Sequence, residues 1–132
     1  MLRRAPGKVA QVLANRPEWQ VFVGSGGALL PFLSLGGVGA IAALANIAAA
    51  PLRQLLELYK RGELGAARVL QLRLAPLNSA ITAQFGVSGL KYAMDQVGLY
   101  GGPVRRPLLP LSEKAMKQID HFLLESGLGA EK

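Results

Sequence analysis

The uncharged segment at residues 21–46 constrains the fold of this chain more than any other feature. It begins with a β-branched and aromatic run, Val21 to Val23, which a glycine-rich turn at residues 24–27 cuts off. Residues 28–35 have the length of about two helical turns, a second glycine cluster follows, and residues 40–44 are apolar at every position. Strands that are apolar throughout are typical of parallel sheets covered on both faces. The segment therefore predicts one strand–helix–strand unit of a larger parallel sheet.

The composition is rich in apolar residues. Hydrophobic residues make up 51% of the chain, charged residues 17%, and the mean hydropathy is +0.29. The uncharged run continues to Leu52, beyond the ~20 residues that cross a bilayer. Glycine clusters and the prolines Pro31 and Pro51 break this run into pieces too short to span a membrane. We therefore expect a buried α/β core, a partner that covers the surplus apolar surface, and no membrane association.

The charge and the cysteine content limit which binding partners and which cellular compartment we expect. The formal net charge is +7 and the pI is near 10.3, but the arginines are scattered and no aromatic residues are interleaved with them. This pattern indicates solvated helix surfaces, so we expect no nucleic-acid partner. The chain has no cysteine, and its basic start is not followed by an apolar stretch. We therefore expect no signal peptide and a cytoplasmic location.

The remaining sequence predicts helices and one long connector. Pro51 is placed at the first turn of a helix, Pro76 interrupts a long helix, and Ser112 caps the last helix, which Gly127 ends. The predicted helices cover residues 7–15, 51–61, 63–84, 90–97 and 113–126, and residues 100–111 form an extended connector. Because two strands do not make a self-sufficient sheet, the predicted sheet is incomplete.

The central segment offers little for acid–base or metal chemistry. All eight acidic residues lie outside residues 21–46, and a single histidine, His121, cannot form a metal site alone. Ser25 is not a nucleophile-elbow serine, because that motif needs glycine at position 23. Lys91 is predicted to lie on a helix surface. The turn at residues 24–27 suits either an anion, held by backbone N–H groups and the Ser25 hydroxyl, or a plain tight turn.

Two stretches carry a family resemblance. GSGGALLPFLSLGGVGAIAALAN at residues 24–46 and FGVSGLKYAMDQVGLYGGPVRRPLLPLS at residues 85–112 resemble the C-terminal half of the dihydrodipicolinate synthase and N-acetylneuraminate lyase family, which are pyruvate-type class I aldolases. Within the family, residues 24–27 and 100–103 look most like the 4-hydroxy-2-oxoglutarate aldolases. Gly26 and Gly27 stand where sialic-acid lyases carry acidic side chains for sugar hydroxyls, which argues against a sugar acid substrate.

The resemblance implies a partial TIM (β/α)8 barrel with a C-terminal helical extension. Residues 1–62 would supply strands seven and eight, at residues 20–24 and 39–43, with their flanking helices, and residues 63–132 the C-terminal helical region. The family's imine-forming lysine and its proton-relay tyrosine would both precede Met1, so no catalytic residue carries over. The substrate-binding residues that do carry over are Gly24, Ser25 and Ile41. The resemblance implies no metal and no cofactor.

The predicted function is that of the C-terminal part of a Schiff-base lyase. The parent enzyme would reversibly cleave a 2-keto acid such as 4-hydroxy-2-oxoglutarate to release pyruvate, and this chain alone would be inactive. The alternatives are a part of a 4-hydroxy-tetrahydrodipicolinate synthase and a non-catalytic, self-associating binding module. The predicted partners are a 2-keto acid and either further copies of the chain or a complementing N-terminal half. Because residues 1–7 do not match the family's sixth strand, we expect a truncated gene, a misplaced start or a second chain.

Overall fold

The computed structural model describes residues 6–129, which form a small parallel sheet covered by helices. Within this range the strands are β1 (Phe22–Val23) and β2 (Gly39–Ala40). A 3-10 turn (Gly26–Ala28) follows β1, and a π-helical turn (Ala80–Gln84) follows α4. The α-helices are α1 (Pro6–Asn15), α2 (Leu29–Ser34), α3 (Ala45–Lys60), α4 (Leu64–Ser79), α5 (Gly86–Gln96) and α6 (Glu113–Glu125).

The two strands are parallel, with Phe22 opposite Gly39 and Val23 opposite Ala40. The Val38 N–H donates to Val21 O at 3.0 Å and the Ile41 N–H to Val23 O at 2.9 Å, which extends the ladder by one bond at each end. The predicted strand–helix–strand unit is therefore confirmed. The strands are shorter than the predicted residues 20–24 and 39–43, because the chain turns into α3 just after Ile41.

Helix α3 begins earlier than the sequence predicted. The sequence predicts its first turn at Pro51, but the helix starts at Ala45, and Ala48 adopts a non-helical φ of −133° and ψ of 35°. Proline has no N–H to donate to the carbonyl four residues before it, here that of Ile47. The break at Ala48 puts Pro51 in the first turn after the kink, so this proline marks the kink and not the start of the helix.

Two other boundaries also differ from prediction. The long helix runs through Pro76 to Ser79, and its interruption is the π-helical turn that starts at Ala80. Helix α5 starts at Gly86 and not at Leu90, with Gly86 at a φ of +56° that allows the sharp change of direction out of the π-helical turn. The predicted first helix and the connector at residues 100–111 are confirmed.

One hydrophobic core holds the helices and the inner face of the sheet together. Tyr59 of α3 donates its hydroxyl to Leu33 O of α2 at 3.0 Å, which ties these two helices over the sheet. The predicted division after Gly62 stays a prediction, although the core draws on both sides of it. The fully buried large apolar side chains are Leu44, Leu55, Leu74, Leu77, Ile81, Ile119 and Leu123.

The connector is anchored on α5. Lys91 Nζ donates to Gly101 O at 2.5 Å, the Gly101 N–H donates to Asp95 Oδ1 at 2.8 Å, and Ser88 Oγ donates to Leu109 O at 2.8 Å. Gly101 must be glycine, because a Cβ there would lie 1.9 Å from Lys91 O. Lys91 is thus half-buried and has a structural hydrogen bond.

Helix α6 is capped as predicted and tied to α5. Ser112 Oγ accepts from the Ala115 N–H at 3.3 Å. The Tyr92 hydroxyl lies 3.0 Å and 3.1 Å from the two Asp120 carboxylate oxygens. Burial, together with the hydrogen bond to Asp120 and its charge, raises the pKa of Tyr92 from 10.0 to about 12. No helix within residues 6–129 has the length and apolarity to cross a bilayer.

The Tyr92–Asp120 contact predicts a stability loss at alkaline pH. Because the folded pKa lies above the unfolded one, the stabilising contribution is fully present below pH 10.0 and is lost as the pH rises through about 12. Tyr92→Phe should therefore lower the free energy of unfolding at pH 8, and the gap to the unmutated chain should narrow at pH 11. Denaturant unfolding at both values measures this gap, and a gap that widens would contradict the assignment.

Gly26 predicts a second effect on stability. A Cβ at this buried glycine would lie 2.8 Å from Leu44 Cδ2, and Leu44 is fully buried. Gly26→Ala should therefore lower the free energy of unfolding by about 1–3 kcal/mol. The control is Gly65→Ala on α4, where nothing lies within 4 Å of the added Cβ. This control should leave stability unchanged or raise it by up to ~1 kcal/mol, and equal losses in both variants would show that Gly26 is not tightly packed.

Candidate functional site

The sheet leaves one face open to solvent. Side chains alternate along a strand, so Phe22 and its partner Gly39 share a face with Ile41, while Val23 points to the core. Phe22 is 49% exposed and Ile41 77% exposed, whereas Val23 is 8% exposed. The Phe22 ring lies across Gly39, 3.3 Å from where its Cβ would be. Apolar side chains exposed on a parallel sheet indicate a face that is normally covered.

The three predicted substrate-binding residues meet at the carboxyl ends of the two strands. Gly24 follows β1 and Ile41 follows β2, and continuing the strand register places them opposite each other on the open face. Ser25 comes next, with an extended φ of −144° and ψ of 124°, just before the 3-10 turn. The carboxyl ends of strands are where barrel enzymes build their active sites. The substrate-binding roles of Gly24, Ser25 and Ile41 stay predictions at this point.

The glycine turn after β1 is held by an amide side chain that the sequence analysis did not single out. Gln71 of α4 is 6% exposed and spans the turn. Its Oε1 accepts from the Leu30 N–H at 2.9 Å and its Nε2 donates to Gly26 O at 3.0 Å. One of the N–H groups near the start of α2 is therefore already satisfied within the chain. Anion binding at this turn stays a prediction, and it relies more on the Ser25 hydroxyl.

A second buried amide reaches Ser25 itself. Asn78 of α4 is 8% exposed, and its Nδ2 donates to Ser25 Oγ at 3.3 Å. Its Oδ1 is buried and has no hydrogen-bond partner within residues 6–129. The sequence held one signal for both amides: Gln71 and Asn78 are seven residues apart on the same apolar stripe as Leu70, Leu74 and Leu77.

The other candidate groups do not assemble into a reactive centre. His121 is a surface residue, with Nε2 3.3 Å from Glu125 Oε1. Lys91, Tyr92 and Asp95 line a cavity of about 290 Å³ between α5 and the connector, but hydrogen bonds to Gly101 and Asp120 hold all three. Within residues 6–129, no three histidine or acidic residues lie close enough together to hold a metal ion.

Comparison with known proteins identifies the family. The sequence pattern of the dihydrodipicolinate synthetase family matches residues 4–126. A 4-hydroxy-tetrahydrodipicolinate synthase from Thermoanaerobacter sp. (strain X514) is 31% identical over 121 residues, which are 92% of this chain and 40% of the relative. The chain thus spans about two fifths of the length of that relative.

Solved structures give the same result. The 4-hydroxy-tetrahydrodipicolinate synthase of Methylacidiphilum fumariolicum SolV superposes with a TM-score of 0.83 at 29% identity, over 94% of this chain and 43% of that one. A prophage protein of the dihydrodipicolinic acid synthase family from E. coli K12, solved in complex with pyruvate, superposes with a TM-score of 0.79 at 26% identity, over 91% of this chain and 41% of that one.

These matches confirm the predicted α/β fold, two strands of a barrel together with a C-terminal helical extension. The 4-hydroxy-2-oxoglutarate aldolase branch stays a prediction, since the synthases above carry a different name. With the family's sequence pattern covering residues 4–126 and its fold covering nearly all of the chain, this protein belongs to the dihydrodipicolinate synthetase family.

Proposed function

We propose that this chain supplies the C-terminal part of a pyruvate-type Schiff-base lyase or synthase. The observation that carries the proposal is the open face of the sheet, where Gly24 and Ile41 lie side by side at the carboxyl ends of two parallel strands. In a closed barrel this face would line the interior and border the substrate. The pyruvate held by the E. coli family member is consistent with a small 2-keto acid at such a site.

Each predicted site residue has a role suited to its position. Gly24 has no side chain and lets a carboxylate approach the backbone closely. Ser25 offers a hydroxyl that donates to that carboxylate. Ile41, 77% exposed here, would form an apolar wall beside the imine. An apolar wall excludes water, and this favours the neutral amine that attacks a keto group.

The reactive lysine must come from other polypeptide. The segment that bears it would be an N-terminal half that pairs with the open edges of β1 and β2, since the chain spans only about two fifths of its relatives. The exposed apolar residues along this side suit such a partner, since burying them would stabilise the assembly. On the open face they are Phe22 and Ile41. The absence of cysteine supports a cytoplasmic location for the assembly.

Two substrates fit the proposal. The synthase relatives favour formation of 4-hydroxy-tetrahydrodipicolinate, whereas Gly26 and Gly27 with the Tyr100–Pro103 motif favour cleavage of 4-hydroxy-2-oxoglutarate. Pyruvate is common to both readings, so the imine with pyruvate is the step to test first. Assaying the assembled protein for both reactions then separates the two substrates.

A self-associating module is the second candidate, and the same open strands favour it. Parallel strands with free edges can pair with those of another copy. Such a module would elute as a defined oligomer, with slow amide exchange in β1 and β2 in the absence of any other polypeptide. A chain that needs an N-terminal half would aggregate, or its strand amides would exchange freely.

Borohydride trapping with pyruvate tests the proposed function. The 132-residue chain alone should gain no mass, because none of the lysines within residues 6–129 belongs to the two strands that border the proposed site. Mixed with the N-terminal part of the Thermoanaerobacter synthase, which precedes the matched region, it should support a mass gain on that partner. A mass gain on the 132-residue chain itself would contradict the proposal, and so would the absence of any gain in an assembled complex.

A further inference from the structure

We propose that Asn78 is a positioning residue, which holds Ser25 so that its hydroxyl donates a hydrogen bond to the substrate carboxylate. This inference rests on the proposed function. The turn at residues 24–27 is called the substrate loop below. The inference assigns the specificity of this loop partly to α4, a helix outside the barrel strands.

The hydrogen-bond geometry gives the direction of donation. A serine hydroxyl has one hydrogen to donate and two lone pairs to accept. Because Asn78 Nδ2 donates to Ser25 Oγ at 3.3 Å, one lone pair of the serine is occupied from the protein side. The serine hydrogen then remains free for an acceptor outside the loop. A carboxylate is the strongest such acceptor, since hydrogen bonds to charged groups are shorter and stronger than neutral ones.

The surroundings fix the Asn78 side chain against this loop. Its Nδ2 lies 2.8 Å from the position that a Cβ at Gly27 would occupy, so the amide fills the space that this glycine leaves. Gln71, two turns earlier, holds Gly26 and Leu30. The substrate loop is therefore clamped by one face of α4.

Asn78 Oδ1 is buried without a hydrogen-bond partner in the part of the chain that the structure describes, and this argues against a purely structural role. Burying an acceptor without a partner is unfavourable, and an apolar side chain of similar size would avoid this cost. The neighbouring positions Leu74 and Leu77 are apolar and fully buried. An asparagine at this position is explained by what its nitrogen does for Ser25.

A double-mutant cycle in the assembled protein tests the inference. Asn78→Asp keeps the shape but replaces the donor by an acceptor, so the Ser25 hydroxyl would donate inward. KM for the keto acid should rise about tenfold or more, which is ~1.4 kcal/mol per factor of ten, with a smaller change in kcat. In a Ser25→Ala background the same substitution should raise KM no further, because its effect passes through that hydroxyl.

Two further variants keep the test decisive if Asn78→Asp unfolds the protein. Asn78→Ala should raise KM when Ser25 is present and should leave KM unchanged in the Ser25→Ala background. Tyr59→Phe is the matched control, since it removes a hydrogen bond to Leu33 O at the other end of α2 and should leave KM unchanged. Equal effects of the Asn78 substitutions with and without Ser25 would overturn the inference.

Amide hydrogen exchange separates this inference from the proposed function. If the unmutated assembly traps no pyruvate, the proposed function fails, and exchange still decides the positioning role. Asn78→Ala should speed exchange of the Ala28 N–H, which donates to Ser25 O at 3.2 Å, while the amides of α5 stay unchanged. Unchanged exchange at Ala28 would overturn the inference.

Discussion

Parallel sheets occur almost only where both faces are covered, and this constraint explains most of the structure. Strands β1 and β2 meet it only in part. Val23 is buried in the hydrophobic core on one face, whereas Phe22 and Ile41 on the other face remain exposed. The proposed function gives the surplus of apolar residues in the composition the same origin. The chain folds as one wall of a structure whose remaining strands would supply the opposite wall.

Helix α4 is part of the candidate site and not only an appendage. Helix α4 packs on the glycine turn after β1, where Gly26 and Gly27 leave room for Leu44 and Asn78. Gln71 and Asn78 then satisfy or orient the polar groups of the turn. A loop clamped in this way is pre-organised, which lowers the entropic cost of binding a small anion. The helical extension and the strand ends thus act as one unit.

The sequence predicted the parallel unit, the Ser112 cap and the approximate helix content, because apolar periodicity and capping are local signals. It misplaced the starts of α3 and α5, since a proline and a glycine are each compatible both with the end of a helix and with a kink between two helical segments. Gly24, Ser25 and Ile41 could be predicted only through the family resemblance. Gln71 and Asn78 were missed because their partners lie more than forty residues away in the chain, and no local pattern encodes such a contact.

The central claim is that the exposed face of the sheet becomes an interior. A single thiol tests it, because the chain has no cysteine. Ile41→Cys should react rapidly with a thiol reagent in the isolated chain and at least tenfold more slowly once the N-terminal half is bound, as protection by ~1.4 kcal/mol or more implies. Val69→Cys, at an exposed position on α4, should react rapidly in both states. Equal reactivity of Ile41→Cys with and without the N-terminal half would contradict the account.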